Sequence, residues 1–442
     1  MKAQAIAHCL RAEDRVVAWQ GAQQHRLASM RRQVMALCTR LRALPEQQWA
    51  LCFDNSYHFT VALLAVWHAG KTPVIPGHCR AAQLEEMTGC FDGVISDMPL
   101  VLTLPHLRWD GAEADAELTD IAPDAALVLF TSGSTGTPRP VVKSIQALDT
   151  EAQWLAALWG DRLRLCHVVA SVSHQHLYGL TFRVVLPMAL GLPFAAQQLL
   201  YSEQLADLAP AHRYAFISSP AFLRRLDPSL NLPRCALIIS AGGALAWSDA
   251  RHTQQRLGCP VDEIYGSTET GVIAWRQLDA EQVAWQCFPQ VRLRQQDDAR
   301  WRVFSPLLEL ADGWLLDDHL IQLESGHFQL AGRQDRVVKI EDKRVSLSEI
   351  ERRLLALPEI EDAAALVIQR HGRQAIGVVL ALAQPLDPAM LAQRKQQWKQ
   401  ALQPWLESVA MPRYWRVVTT IPVTAQSKRA WPQIEELFHV AG

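Results

Sequence analysis

The chain has 442 residues, 49% hydrophobic and 20% charged, which is enough to bury a sizeable core and long enough for two or three domains. Its formal net charge of -2 leaves no global basic field to hold nucleic acid or an anionic membrane. Nine scattered cysteines, an odd count with no C-x-x-C pair, fit reduced thiols in a cytoplasmic protein. No His/Cys cluster has metal-ligand spacing, so no structural zinc is expected, and the polar start does not read as a signal sequence.

Residues 1 to about 120 alternate helical and strand patterns. Residues 59–68 read as a buried helix ended by Ala69-Gly70, and the chain resumes extended at 72–76. A short apolar run at 127–130 then ends in five hydroxyls (Thr131, Ser132, Ser134, Thr135, Thr137) and two glycines, Gly133 and Gly136, followed by Arg139. Glycines let backbone N–H groups turn toward an anion and hydroxyls donate to phosphate oxygens, so the segment reads as a polyphosphate cradle at a strand end. It is not a P-loop, because no Lys-Ser/Thr pair follows the second glycine. Ser144 caps a helix that carries Leu148, Ala152, Leu155 and Trp159 on one face. The most apolar stretch, 177–196, is broken by Arg183, Pro187 and Pro193 and reads as a core element, not a membrane span.

Short apolar runs at 166–170, 215–217, 236–239 and 261–265 alternate with helical stretches, which implies a largely parallel sheet covered by helices. After about residue 285 the pattern changes: 290–310 and 315–330 read as antiparallel β, with a turn at 324–327. The last hundred residues read as a small α+β unit. There Ser346 and Glu349 form a capping box with Val345 and Ile350 as its staple, and 363–368 and 375–382 flank a turn at 371–373 as a hairpin. The expected class is α/β, a large N-terminal domain of β-sheets covered by helices followed by a small α+β C-terminal domain.

A second loop, 264–271, follows a short strand. Tyr265 offers a flat ring to a base, Gly266 allows close approach, Thr268 is a phosphate donor, and Glu269 is a hard oxygen ligand for Mg2+. Further segments are Asp317-Asp318, residues 332–339, and 422–428 near the C-terminus.

Together these segments resemble the adenylate-forming superfamily of acyl-CoA synthetases, aryl-acid ligases, luciferases and peptide-synthetase adenylation domains. Residues 55–76 resemble its early helix-and-strand region, 130–142 its phosphate loop, and 174–179 its acyl-pocket motif. Residues 240–244 resemble the segment beside the adenine, 265–269 match Y-G-x-T-E, 332–351 resemble the hinge region, and Lys428 the C-terminal lysine. A Ser/Thr/Gly loop alone is usually a surface turn, Glu269 or Lys428 alone a solvated charge, and His174 and His176 ordinary core histidines. Together, in the right order, these segments carry the resemblance.

The resemblance implies an acid–thiol ligase with an adenylation core at 1–333 and a mobile domain at 334–442 carrying the catalytic lysine. It assigns Thr131, Ser132, Gly133, Ser134, Thr135, Gly136 and Arg139 to the ATP phosphates, and Gly242, Gly243, Ala244, Tyr265, Gly266 and Ser267 to the nucleotide. Asp318, assisted by Arg333, takes the ribose hydroxyls. Thr268 takes the α-phosphate, Glu269 takes Mg2+, Lys428 bridges the acid and the phosphates, and Asp335 is the hinge. His176, Tyr178, Ser219 and Gly271 are assigned to the acyl pocket. ATP, Mg2+ and a phosphopantetheine thiol are the implied cofactors and co-substrates.

The chain departs from the family pattern at Arg139-Pro140, where Lys-Gly is usual. It departs again at 316–318, at Asp342 beside the pantetheine tunnel, and at Ser427. No aspartate stands near 174–178 to bind an α-amine, and apolar or small residues around Tyr178, 218–221 and Gly271 suit an aromatic or medium-chain acid. The short chain resembles the stand-alone ligases of aryl-polyene or fatty-acid-like pathways, which load an acyl carrier protein. Arg352, Arg353, Arg370, Arg373, Lys395 and Lys399 are candidates for a carrier-binding patch. The alternatives are a ligase for free CoA, an enzyme that stops at the adenylate, and a catalytically dead nucleotide-binding subunit. Glu269, Arg333 and Lys428 stand against the last.

Overall fold

In the computed structural model, the helix expected at 59–68 runs Ser56–His68, because Asn55 caps it: the side chain accepts from the backbone N–H groups of Tyr57 and His58. The structure describes residues 1–132, 138–243, 245–297, 300–323, 326–333, 337–341, 343–370, 373–384, 386–422 and 431–439. The chain divides into two units, Met1–Phe130 with Pro140–Gln334, and Thr131–Arg139 with Asp335–Gly442.

The first unit is built on two large sheets. One has six strands in the order His106–Arg108, Gly93–Ser96, Gln48–Cys52, Thr72–Ile75, Ala126–Ser132 and Pro138–Ser144. The first five are mutually parallel. Helix Ser56–His68, largely apolar and buried apart from the half-buried His58, is the crossover between two of them.

The second sheet has eleven strands. Its centre is parallel: Cys166–Ala170, Arg213–Ser218, Cys235–Ser240 and Val261–Ser267 lie side by side as the apolar runs imply. Antiparallel additions make the sheet mixed. Gly271–Leu278 and Trp285–Cys287 follow on one side, and the hairpin Asp318–Gln322/His327–Arg333 forms that edge. On the other side Phe194–Ala195, Val16–Gln20 and Gln23–Arg26 extend the sheet. Arg292–Gln295, Trp301–Phe304 and Trp314–Leu315 form a separate antiparallel sheet.

Ser144 caps helix Ile145–Leu163 by accepting from the Ala147 N–H at 3.3 Å. Leu148, Ala152, Leu155 and Trp159 face inward with 0–2% exposure, each large side chain contributing about 1.5–3 kcal/mol of transfer free energy. The stretch at 177–196 holds Leu177–Leu180, a π-helical turn Thr181–Val185, and Leu186–Leu190, all largely buried. Among the described residues no helix is long and apolar enough to cross a membrane. All nine cysteines are free.

The second unit packs Leu347–Leu355 and Pro388–Leu402 on a sheet of Ile360–Arg370, Arg373–Leu382 and Tyr414–Val418. Its core includes Ile350, Leu354, Ile376, Val378 and the stacked pair Trp398–Trp415, with ring centroids 5.9 Å apart. Ser346 accepts from the Glu349 N–H at 3.1 Å, while the Glu349 carboxylate is held by Arg352 and Arg353. The architecture is a mixed α/β chain, with large N-terminal sheets and a smaller C-terminal unit.

Candidate active site

Four parallel strands deliver four of the expected site segments to one edge of the eleven-stranded sheet. The carboxyl end of Cys166–Ala170 leads to 171–176, that of Arg213–Ser218 to Ser219, that of Cys235–Ser240 to Gly242 and Gly243, and that of Val261–Ser267 to Thr268 and Glu269. The carboxyl edge of a parallel sheet is where such folds bind ligands, because the loops there are free to vary while the strands fix their origins.

Around Tyr265 this edge is a connected network. The Tyr265 hydroxyl donates to Asp318 Oδ2 at 2.8 Å, joining residues 53 positions apart on the strand and on the edge hairpin. The Tyr265 ring is held by Trp285 and Phe328, at centroid distances of 5.8 and 5.7 Å. Arg276 lies over the Trp285 ring at 4.5 Å and donates to Glu263 Oε2 at 2.7 Å. Glu263, 1% exposed, also accepts from the Leu245 N–H at 3.2 Å, fixing the end of the 241–245 segment. Arg333 is the direct cross-strand partner of Asp318.

The turn at 268–270 sits between Val261–Ser267 and Gly271–Leu278. Ser267 and Thr270 brace it: each backbone N–H donates to the other's hydroxyl, at 3.0 and 3.2 Å. Gly266 is required by sterics, since a Cβ there would lie 2.1 Å from the Gly271 carbonyl oxygen. Gly271 has φ +68°, and its absent Cβ leaves room for Glu151 and Leu307.

Two charged groups beneath this turn are buried. Glu151, 3% exposed, accepts from the Val272 N–H at 2.8 Å and from the Thr181 hydroxyl at 2.7 Å. Lys143, 4% exposed, donates from Nζ to the Glu269 carbonyl at 2.7 Å. Burial lowers the Lys143 pKa, opposed by the negative fields of Glu151, Glu269 and Glu309. Sequence reasoning missed both. The signal was a single charge on an otherwise apolar face, Glu151 between Leu148 and Leu155, and Lys143 after Val141-Val142.

Among the described residues no group of three or more His, Cys, Asp or Glu could hold a metal ion. A Mg2+ here would be held by the half-buried Glu269 carboxylate, with phosphate and water oxygens as its other donors. That is the usual donor set for Mg2+ beside a nucleotide, so the residues present fit the ion.

Of the residues expected in an acyl pocket, Tyr178 is spent on structure at its tip. Its hydroxyl lies 3.0 Å from the carbonyls of both Ser218 and Ile239, clamping two strands, and burial pushes its pKa well up. Ser219, half-buried, precedes helix Pro220–Arg224. His176 is exposed, before Leu177–Leu180. His174 is a core histidine: Nε2–H donates to the Phe53 carbonyl at 2.9 Å, which leaves Nδ1 to accept from the Ser56 hydroxyl at 3.0 Å.

Burial, with Arg183 adding repulsion, pulls the His174 pKa well below 6.5, and burial beside His212 pulls His167 down to about 4. Below about pH 6.5 the unfolded chain therefore binds more protons than the folded one, and stability is lost as pH falls through that value. The expected loss at about pH 5.5 is on the order of 1 kcal/mol from His174, with a further share from His167. Asp262 and Asp149, raised by burial, act in the opposite sense nearer the carboxylate range. Denaturant midpoints from about pH 7.5 down to about 5.5 check this; a flat profile contradicts it.

Thr131 is the last residue but one of strand Ala126–Ser132, and Arg139 is exposed. Gly133, Ser134, Thr135, Gly136, Ala244, Asp335, Asp342 and Lys428 lie outside the described residues, as do the side chains of Ser132 and Arg333.

A family model described as "AMP-binding enzyme" matches residues 80–300, half of the chain. The chain is 27% identical over 285 residues to the 4-coumarate–CoA ligase of Cereibacter sphaeroides, an alignment covering 62% of this chain and 64% of that protein. It is 24% identical over 497 residues to enterobactin synthase component F of Escherichia coli O157:H7, covering 90% of this chain and 36% of that protein. In fold it is similar to an o-succinylbenzoate CoA synthetase of Bacillus subtilis, with TM-score 0.82 at 15% identity over 98% of both chains. With half its length inside the family model and four of the expected segments at one sheet edge, the chain belongs to the AMP-binding enzyme family.

Proposed function

We propose that this chain activates a carboxylic acid with ATP and passes the acyl group to a phosphopantetheine thiol. A carboxylate oxygen of the acid attacks the α-phosphorus, the bond to the bridging oxygen breaks, and pyrophosphate leaves. The thiol, losing its proton, then attacks the acyl carbonyl, and AMP departs with the oxygen it gained. Both steps need positioning and charge stabilisation, not a covalent protein intermediate.

The observation that carries this reading is the Tyr265–Asp318 hydrogen bond. It places an aromatic face beside a carboxylate, which suits a base and the two ribose hydroxyls of one nucleoside. Gly242 and Gly243 give a backbone strip without side chains for the other face of the base, and Thr268 offers a hydroxyl to the α-phosphate. Mg2+, when bound at Glu269, neutralises phosphate charge. Arg333 assists Asp318, Lys428 bridges acid and phosphates, and the unit after Asp335 swings to admit the thiol.

Lys428→Ala is expected to lower acid-dependent ATP–pyrophosphate exchange by about 10²–10³-fold while sparing thiolysis of a supplied acyl-adenylate. Intact exchange in that variant removes Lys428 from the first step.

The acid is aromatic or medium-chain, and the acceptor is an acyl carrier protein. The likeness to enterobactin synthase component F along 90% of the chain supports a carrier. So does the cluster of Lys395, Lys399 and Arg416, in which the Lys395 pKa is lowered by burial and by both neighbouring cations. Arg352, Arg353 and Arg370 are partly engaged, by Glu349, Trp405, Tyr414 and the Phe438 carbonyl. Free CoA as acceptor is the second reading, favoured by the coumarate–CoA ligase and CoA synthetase likenesses. Mass spectrometry after incubation with ATP, Mg2+ and a panel of benzoic, cinnamic and fatty acids separates them, with holo-carrier protein and CoA offered together. An acylated carrier is expected. Acyl-CoA alone selects the second reading, and adenylate without thioester removes the transfer step.

A further inference from the structure

We infer that Lys143 is a positioning residue for acid activation: its buried ammonium pins the main chain of the Thr268–Glu269 turn and so sets the direction in which the metal-binding carboxylate leaves the backbone. The inference rests on the adenylation reading above. Strand Pro138–Ser144 exposes Arg139, Pro140 and Val142 but turns Lys143 inward, to 4% exposure. Burying an ammonium costs several kcal/mol unless its donors are met. The hydrogen bond that meets it is to the carbonyl of Glu269, 126 positions away, at 2.7 Å. No carboxylate of a described residue is in ion-pair contact with Nζ, although Glu151, Glu269 and Glu309 are near enough to act through their fields.

A methionine would fill this place without the desolvation cost, so packing does not explain an ammonium. Its position does. The strand bearing Lys143 is the return strand after the phosphate-loop segment, and its acceptor is the main chain of the residue that takes Mg2+. One side chain thereby fixes the metal-binding turn relative to that strand. The opposite end of Glu269's environment is fixed separately, by the Ser267–Thr270 brace and by the Val272–Glu151 bond. Arg139-Pro140 stands where the family usually has lysine-glycine, so the loop keeps its own cation, and Lys143, four positions along the same strand, is a second one.

The test is calorimetric binding of a non-hydrolysable ATP analogue, α,β-methylene-ATP, with and without Mg2+, to the full chain and to Lys143→Met and Lys143→Gln. In the unmodified protein Mg2+ tightens binding. Lys143→Met is expected to lose about tenfold of that Mg2+-dependent gain while metal-free affinity stays within about twofold. Lys143→Gln, which keeps a donor but no charge, is expected to fall between the two, and it carries the test if the methionine variant does not fold. Exchange kinetics should show a raised KM for MgATP with the KM for the acid unchanged, a split that a general loss of stability does not produce. An unmodified protein that does not bind the analogue at all overturns the adenylation reading. An unmodified protein that binds it, with variants showing the full Mg2+ gain, overturns only the role of Lys143.

Discussion

Glu263→Ala is expected to lower the unfolding free energy by about 3–5 kcal/mol, the cost of removing one partner from a buried, hydrogen-bonded ion pair. Glu263 is 1% exposed, and its two oxygens serve different elements. Oε1 holds the Leu245 N–H and Oε2 holds Arg276, whose side chain is only 18% exposed and would keep its charge without its partner. The damage should spread along the network, because Arg276 stacks on Trp285 and Trp285 supports the ring of Tyr265. Nucleotide affinity should therefore fall with stability. Chemical denaturation gives the first quantity and calorimetry with AMP the second. The double variant Glu263→Leu/Arg276→Leu should be less destabilised than Glu263→Ala, since no orphaned charge remains. A loss below about 1 kcal/mol in the single variant contradicts the network.

Gly266→Ala is expected to separate activity from folding. The added methyl would stand 2.1 Å from the Gly271 carbonyl, well inside contact distance, and both groups belong to backbone that has to move. Relieving the clash should cost about 1–3 kcal/mol of stability. The movement falls on the turn bearing Thr268 and Glu269, where a displacement of about 1 Å is worth on the order of 10²-fold in rate. A folded protein with exchange reduced about a hundredfold is the expected result. Exchange at the original rate would show that the turn does not act on the phosphates.

The helices were legible where a cap and a stripe coincide. Ser144 with Leu148, Ala152, Leu155 and Trp159 gives Ile145–Leu163, and Ser346 gives Leu347–Leu355. The central strands were legible because continuous apolar runs between helices fit strands buried on both faces. The added strands were not. Val16–Gln20, Gln23–Arg26 and Phe194–Ala195 are short, and their pairing comes from neighbours far along the chain. Within the site, Tyr265 and Asp318 were each readable as residue types, but their 2.8 Å contact depends on the hairpin folding back beside strand Trp285–Cys287. Lys143 and Glu151 showed only as lone charges among apolar residues, since their partners lie 126 and 121 positions away. Tyr178 shows the converse: its hydroxyl, free on paper, is committed to two strand carbonyls.

The most direct test of acid activation is ATP–pyrophosphate exchange measured across benzoic, cinnamic and fatty acids, with nucleotide binding followed by calorimetry on the same protein. Exchange that depends on one class of acid and on Mg2+, and that collapses in Lys428→Ala, is the expected result. A protein that binds ATP yet exchanges pyrophosphate with no acid, or exchanges it without any acid present, would contradict the account.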